Sequence, residues 1–189
     1  MALLPILTYD DETLREKASP VTENSEELQK LLDDMFETMY NANGVGLAAP
    51  QIGKLLRIFV ADADGYADKK EKKEEDTNYG PLVFINPSIQ FKSEQEATAE
   101  EGCLSIPDVR GEVTRPQAIV VSYWDREFNK QKLEVDGALA RIIQHEIDHL
   151  DGVLFIDHIS YFKRKLLSKK LNDLAEGRRE IAYPVAGKK

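Results

Sequence analysis

At 189 residues the chain is long enough to bury a core without disulfides and short enough to be read as a single domain over 1–189. A formal net charge of −9 argues against a body that grips nucleic acid non-specifically, because such binding rests on neutralising phosphates. The N-terminal apolar run, Ala2-Leu3-Leu4-Pro5-Ile6-Leu7, is too short to span a bilayer, carries a proline and lacks a basic flank, so neither a membrane helix nor a signal peptide is expected.

In chain order, residues 8–20 read as a turn and a helical opening. A helix over 25–41 follows, capped by Ser25, with Leu28, Leu31, Leu32, Met35, Phe36 and Met39 forming its apolar stripe. The glycine-rich stretch Gly44-Val45-Gly46-Leu47-Ala48-Ala49-Pro50-Gln51-Ile52-Gly53 partly matches a dinucleotide-binding fingerprint, but that motif needs a strand before it and a helix after it. Here a helix precedes, Pro50 disfavours helix entry, and the strand-like Leu55-Leu56-Arg57-Ile58-Phe59-Val60 follows. The glycines are read instead as letting the backbone approach a ligand or take positive φ.

Residues 62–79 are dominated by charge and read as a solvated, mobile loop without chemistry. Short strands are expected over 81–87 and 88–91, broken by turn residues. Another is expected over 118–124, returning through a hairpin over 131–135. Antiparallel runs rather than alternating helices and strands predict an α+β fold, with helices packed against small sheets. Residues 158–189 form a basic C-terminal helix and tail, with Phe162, Leu166, Leu167, Leu171 and Leu174 on one side. Two readings stand: a helix docked on the core with a solvated lysine face, or a contact with RNA or another anionic surface.

The richest stretch is Gln144-His145-Glu146-Ile147-Asp148-His149. On a helix, two histidines four apart share one face, so both imidazoles can reach one metal ion, and Glu146 is placed beside it as a base. The helix is specified by Asp136 as N-cap, Gly152 beyond its C-terminus and a stripe of Leu139, Ile142, Ile143, Ile147 and Leu150. Upstream, Glu100-Glu101-Gly102-Cys103-Leu104-Ser105-Ile106-Pro107-Asp108 holds the chain's single cysteine. With no partner for an internal disulfide, it is a free thiol suited to a reducing, intracellular compartment. One thiolate and two imidazoles leave a fourth position open, as in catalytic rather than structural sites. Taken alone, the histidines have a blander reading as buried, hydrogen-bonded residues, and a lone cysteine is more often an inert small hydrophobe, but the three together favour the metal site.

Three blocks together, Gly44 to Gly53, Glu101-Gly102-Cys103-Leu104-Ser105 and Gln144-His145-Glu146-Ile147-Asp148-His149-Leu150-Asp151-Gly152, resemble the three signature motifs of peptide deformylases, in order. The opening from Pro5 to Val21 resembles that family's start. The resemblance implies small antiparallel sheets around a central metal-binding helix. It also implies a cytoplasmic, monomeric hydrolase that removes the N-formyl group from the N-terminal methionine of nascent proteins. Its metal would be Fe(II), with zinc, nickel or cobalt as substitutes. By position it implies Cys103, His145 and His149 as metal ligands, Glu146 as proton acceptor and donor, and the Gln51 side chain and Leu104 N–H as oxyanion donors. It further implies Gly46, Val45, Ile106, Ile142 and Arg110 as substrate contacts, and Glu101 paired with Arg115 as a brace behind Cys103. The basic C-terminal helix offers a contact to the ribosome.

Two departures stand out. Arg141 lies one turn before His145, where an apolar pocket residue is expected, and the charged loop over 62–79 reads as an insertion that could shade the cleft. His158 reads as a surface or packing histidine. The rivals are weaker: the extended zinc-protease motif needs histidine at 155, where Phe155 stands, and a closed structural metal site needs four ligands, which only His158 could complete.

Overall fold

The computed structural model describes residues 2–64 and 79–186. The charged stretch expected as a loop over 62–79 therefore lies largely outside the described residues. Seven strands and three α-helices are described. The helices are α1 (Glu26–Asn41), α2 (Gly137–Leu150) and α3 (Tyr161–Ala175). The strands are β1 (Gly46–Ala48), β2 (Ile58–Ala61), β3 (Leu82–Lys92), β4 (Glu96–Cys103), β5 (Ile106–Pro116), β6 (Ala118–Trp124) and β7 (Lys130–Asp136). Five strands form one antiparallel sheet in the order β1-β2-β3-β6-β7, and β4 pairs with β5 in a separate two-stranded sheet. This is the α+β arrangement expected.

The large sheet is covered on both faces where β1, β2 and β3 run. Ile58 and Val60 point to Leu28, Leu32, Met35 and Met39 of α1, while Phe59 and Ala61 point to Leu139, Ala140, Ile143 and Ile147 of α2. A strand buried on both sides reads as an unbroken apolar run, which is why Ile58-Phe59-Val60-Ala61 shows no alternation. The α2 helix thus lies against a sheet that cannot yield, and the turns that carry His145 and His149 inherit that rigidity.

Several elements differ from the sequence expectation. The opening helix is a single 3-10 turn, Glu12–Arg15. The stretch over 81–91 is one strand rather than two. Asn86 takes positive φ (50°) inside it, and its side chain pairs with the Val21 backbone at 2.7 and 2.8 Å, doing for a short stretch what a neighbouring strand does. The segment around Cys103, for which the sequence pattern predicts no element, is the tip of the β4–β5 hairpin, turning at Leu104-Ser105. Its strand character was hidden because β4 is built mainly of Glu, Ala and Gly, residues poor in β-propensity, with a single Thr among them. Asp136 sits at the N-cap of α2 but makes no side-chain cap bond. The apolar side expected of the tail helix is split in two. Leu171 and Leu174 are buried with Leu167 beside them, whereas Phe162 and Leu166 are each 70% exposed, because they lie on a different helical face.

Gly152 ends α2 in the left-handed region at φ 76°, and a Cβ there would stand 2.5 Å from the Arg15 carbonyl oxygen. Gly152→Ala is expected to cost about 1–2 kcal/mol from backbone conformation alone, with the collision adding to it. Urea unfolding would read this as a lower midpoint at unchanged slope, and an unchanged midpoint would refute it.

Candidate metal centre and active site

Two rigid elements bring the three donors together. His145 and His149 stand one turn apart on α2, their rings 5.0 Å between centroids, and Cys103 reaches them from the tip of the β4–β5 hairpin. The three donor atoms all lie within 4.8 Å of one another, with Cys103 Sγ 3.2 Å from His149 Nε2. Among the described residues this is the one group of three or more such side chains placed to hold a metal ion.

Behind the triad stands a carboxylate with every acceptor position used. Glu101 Oε1 accepts from Arg115 Nε and Arg141 Nη1, each at 2.7 Å. Its Oε2 accepts from Arg115 Nη2 at 2.9 Å and lies 3.0 Å from His145 Nδ1. Burial alone would push this carboxyl up, but the hydrogen bonds from His145 and Arg115 hold it well below the usual carboxylate range. An ionised carboxylate only accepts, so Nδ1 of His145 carries the proton and Nε2 is left to face the donor triad. Arg115 continues to Asp148 at 2.8 Å, and Asp148 meets His158 at 2.8 Å. The brace expected behind Cys103 therefore holds His145. His158 takes the surface role expected, half-exposed on Asp148, and Arg141 turns into the same network, donating also to the Val113 and Ala97 carbonyls.

Their surroundings drive the two imidazoles in opposite directions. Burial works against a protonated His145, yet Cys103 and Glu101 raise it above the usual imidazole range. His149 is pushed well below that range by burial and by the His145 charge, which favours its neutral form. Its Nδ1 is buried without a hydrogen-bond partner. A soft sulfur, two imidazoles and a carboxylate brace on one ring suit a divalent transition-metal ion.

Glu146 sits against β1, and Gly46 makes that possible. A Cβ on Gly46 would collide with the Glu146 carboxylate. Gly44 similarly leaves room for Leu104, whose Cδ1 would stand 2.7 Å from an added Cβ. The glycines of this stretch therefore make space for two side chains of the site, and of them only Gly53 takes positive φ. Burial pushes the Glu146 carboxyl up to about 7 against the lowering charge of His145, and its Oε2 has no hydrogen-bond partner. A carboxyl poised near neutrality is suited to move protons in both directions.

A cavity of about 480 Å³ opens beside these groups, lined among others by Val45, Leu104, Ile106, Arg110 and Ile142. Gln51 is buried deeper: its Oε1 accepts from Ala48 N–H at 2.8 Å, and its Nε2 faces Ser105 Oγ at 3.2 Å and Cys103 Sγ at 3.5 Å. The sequence left two contributors unread. Ala138 lines the cavity one turn before Ile142. Tyr183, far along the tail, lines it too, and nothing local to Tyr183 signals that position.

The polypeptide deformylase family model matches residues 3–165, so Tyr183 lies beyond the matched part. A peptide deformylase from Salinibacter ruber is 50% identical over 186 residues, covering 98% of this chain and 95% of that protein. The solved peptide deformylase structure from Legionella pneumophila superposes with a TM-score of 0.81 at 42% identity, covering 95% of this chain and 100% of that one. That from Ehrlichia chaffeensis gives 0.84 at 38% identity, covering 94% and 99%.

Removing the Glu101 carboxylate should leave Arg115 buried with half its partners gone, since both side chains are only 5% exposed. Glu101→Ala is expected to cost about 3–5 kcal/mol, a fall in Tm of roughly 10 °C. Glu101→Gln keeps the volume and part of the bonding and should lose less. Equal Tm values for wild type and Glu101→Ala would show that the brace contributes nothing to the fold.

Proposed function

Since this chain belongs to the peptide deformylase family, we propose that Cys103, His145 and His149 hold its metal ion and that Glu146 moves the protons. The reaction is hydrolysis: the N-formyl group is removed from the N-terminal methionine of newly synthesised proteins. The observation that carries the assignment of roles is the meeting of three donors beside one unpartnered, raised carboxyl, with Cys103, His145 and Glu146 at the wall of one cavity.

When bound, a divalent ion lowers the pKa of water toward 7, so that hydroxide is available near neutral pH, and it polarises the formyl oxygen. Glu146 Oε2 takes a proton from a water molecule as that water's oxygen bonds to the formyl carbon, and gives the proton to the nitrogen as the C–N bond breaks, releasing formate and the free amine. In between, negative charge gathers on the formyl oxygen. The Leu104 N–H, at the turn of the β4–β5 hairpin, is one donor for it. Gln51 Nε2 is the other: of its two hydrogens, one exchanges the long contact to Cys103 Sγ for a shorter bond to oxygen. Each such donor contributes about 2.7–4 kcal/mol to the transition state.

The substrate lies along the cavity. Gly46 offers main-chain contact, and Val45, Ile106 and Ile142 receive the methionine side chain on apolar surface. Arg110, exposed at the rim, meets a backbone carbonyl of the peptide. Arg141 lines the same cavity, with its guanidinium held by Glu101 and two carbonyls.

Fe(II) is the metal we assign, with zinc, nickel or cobalt able to replace it at a thiolate-imidazole site. The whole chain acts as one monomeric deformylase domain in the cytoplasm. No helix of the described residues is long and apolar enough to cross a membrane. The exposed face of α3, with Phe162 and Leu166 beside Lys165, Lys169 and Lys170, is a surface for the ribosome, where nascent chains emerge.

Protein loaded anaerobically with Fe(II) should release formate from a formyl-methionyl tripeptide, lose that activity to a chelator and regain it on re-addition of metal. Glu146→Gln should keep the metal while kcat falls by about 10²–10⁴. Absence of formate from folded, metal-loaded wild type would sink the assignment. Full activity in Glu146→Gln would remove the proposed base.

A further inference from the structure

The end of the described chain returns to the site. Beyond α3, Arg179 meets Asp108 at 3.3 Å. Further on, the chain pairs with the N-terminal segment: Ile6 N–H donates to Pro184 O at 3.0 Å, Ala186 N–H donates to Ile6 O at 2.9 Å, and Ile6 and Val185 form a parallel bridge. Ile6 is fully buried, so this second anchor is seated in the core. Tyr183 lies between the two anchors. Its ring is half-buried against the core that α1 and β2 share, and its hydroxyl donates to the Leu104 carbonyl at 2.6 Å.

That carbonyl belongs to the same peptide group as the Ser105 N–H, which points at Cys103 Sγ from 3.4 Å. A donor bound to the oxygen of a peptide polarises its N–H, so the two hydrogen bonds reinforce each other across the planar unit. The line runs from phenol to peptide to sulfur. Its far end is the atom assigned as a metal ligand, and its middle is the turn that carries the proposed oxyanion donor, Leu104 N–H. Burial and the nearby Cys103 and Asp108 raise the phenol above its usual range, which keeps it a donor throughout the working pH range.

We propose that Tyr183 is a positioning residue for the metal thiolate: through the Leu104–Ser105 peptide it strengthens the hydrogen bond to Cys103 Sγ and withdraws charge from that sulfur. The inference rests on Cys103 being a metal ligand. A sulfur that gives less charge leaves the ion a stronger Lewis acid, and partners standing behind a ligand tune both its geometry and its basicity. The tail thereby joins the chemistry of the centre without touching substrate.

Tyr183→Phe keeps the ring and removes only the hydroxyl, so the test separates the hydrogen bond from the packing. The Co(II)-loaded full chain serves as the probe. In the wild type, the thiolate-to-cobalt charge-transfer band reports the sulfur. In Tyr183→Phe the band is expected at longer wavelength, with kcat lowered by up to about tenfold and KM for a formyl-methionyl tripeptide unchanged. Superimposable bands overturn the proposal, and a raised KM with an unmoved band does so too, leaving Tyr183 as cavity wall. A wild-type spectrum without any charge-transfer band would instead show that Cys103 is no ligand, and the underlying assignment falls along with the proposal.

Discussion

The Glu101 carboxylate is the constraint from which the site follows. It takes two bonds from Arg115, one from Arg141 and one from His145, so it ties β4, β5 and α2 together at a single buried point. A buried carboxylate is tolerable only if its lone pairs are used, and here four donors use them. A network satisfied this fully resists small displacement, because any shift leaves a charge unpaired in a poorly hydrated place. The consequence for chemistry is orientation. His145 is held by its Nδ1, and its other nitrogen is aimed at Cys103 and His149.

The two elements that meet at the candidate metal centre are stiffened in different ways. The α2 helix lies on a sheet packed on both faces, with Phe59, Phe84 and Tyr123 stacked beneath it. The β4–β5 hairpin has no such sheet behind it. It leans on a separate cluster of Val109, Val113, Phe155, Ile159 and Leu171, so α3 and the turn after α2 serve as its back wall. Gly111 fits this packing closely, since a Cβ there would stand 3.3 Å from Ile159. Holding Cys103 in place is therefore partly the work of residues well beyond His149 in sequence.

Helical periodicity made α1 and α2 legible, and the spacing of His145 and His149 is a geometric statement that any helix would honour. The α+β class was legible from the runs of strands. What the sequence concealed falls into two kinds. The β4 strand carries Glu96, Ala97, Thr98, Ala99 and Glu100, whose composition gives no strand signal because one side of the hairpin is solvated and its partner, β5, supplies the apolar face. The other kind is long-range. Nothing near Arg141 says that its guanidinium will reach Glu101, 40 positions away, and nothing near Tyr183 points to Leu104, 79 positions away. Such contacts are set by how elements pack, and local pattern carries no record of them.

Gly46 shows how the two kinds of information combine. By sequence it is a glycine before a strand-like run, a feature with many explanations. In the fold it is a residue of β1, hydrogen-bonded to β2, with α2 passing so close that a methyl group in place of its hydrogen would strike the Glu146 carboxylate. The same approach that demands glycine also desolvates Glu146, and desolvation is the largest cause raising its carboxyl toward neutrality. One missing Cβ thus couples backbone spacing to proton affinity: a wider gap between β1 and α2 would admit water, return Glu146 toward an ordinary carboxylate and lower its affinity for a proton.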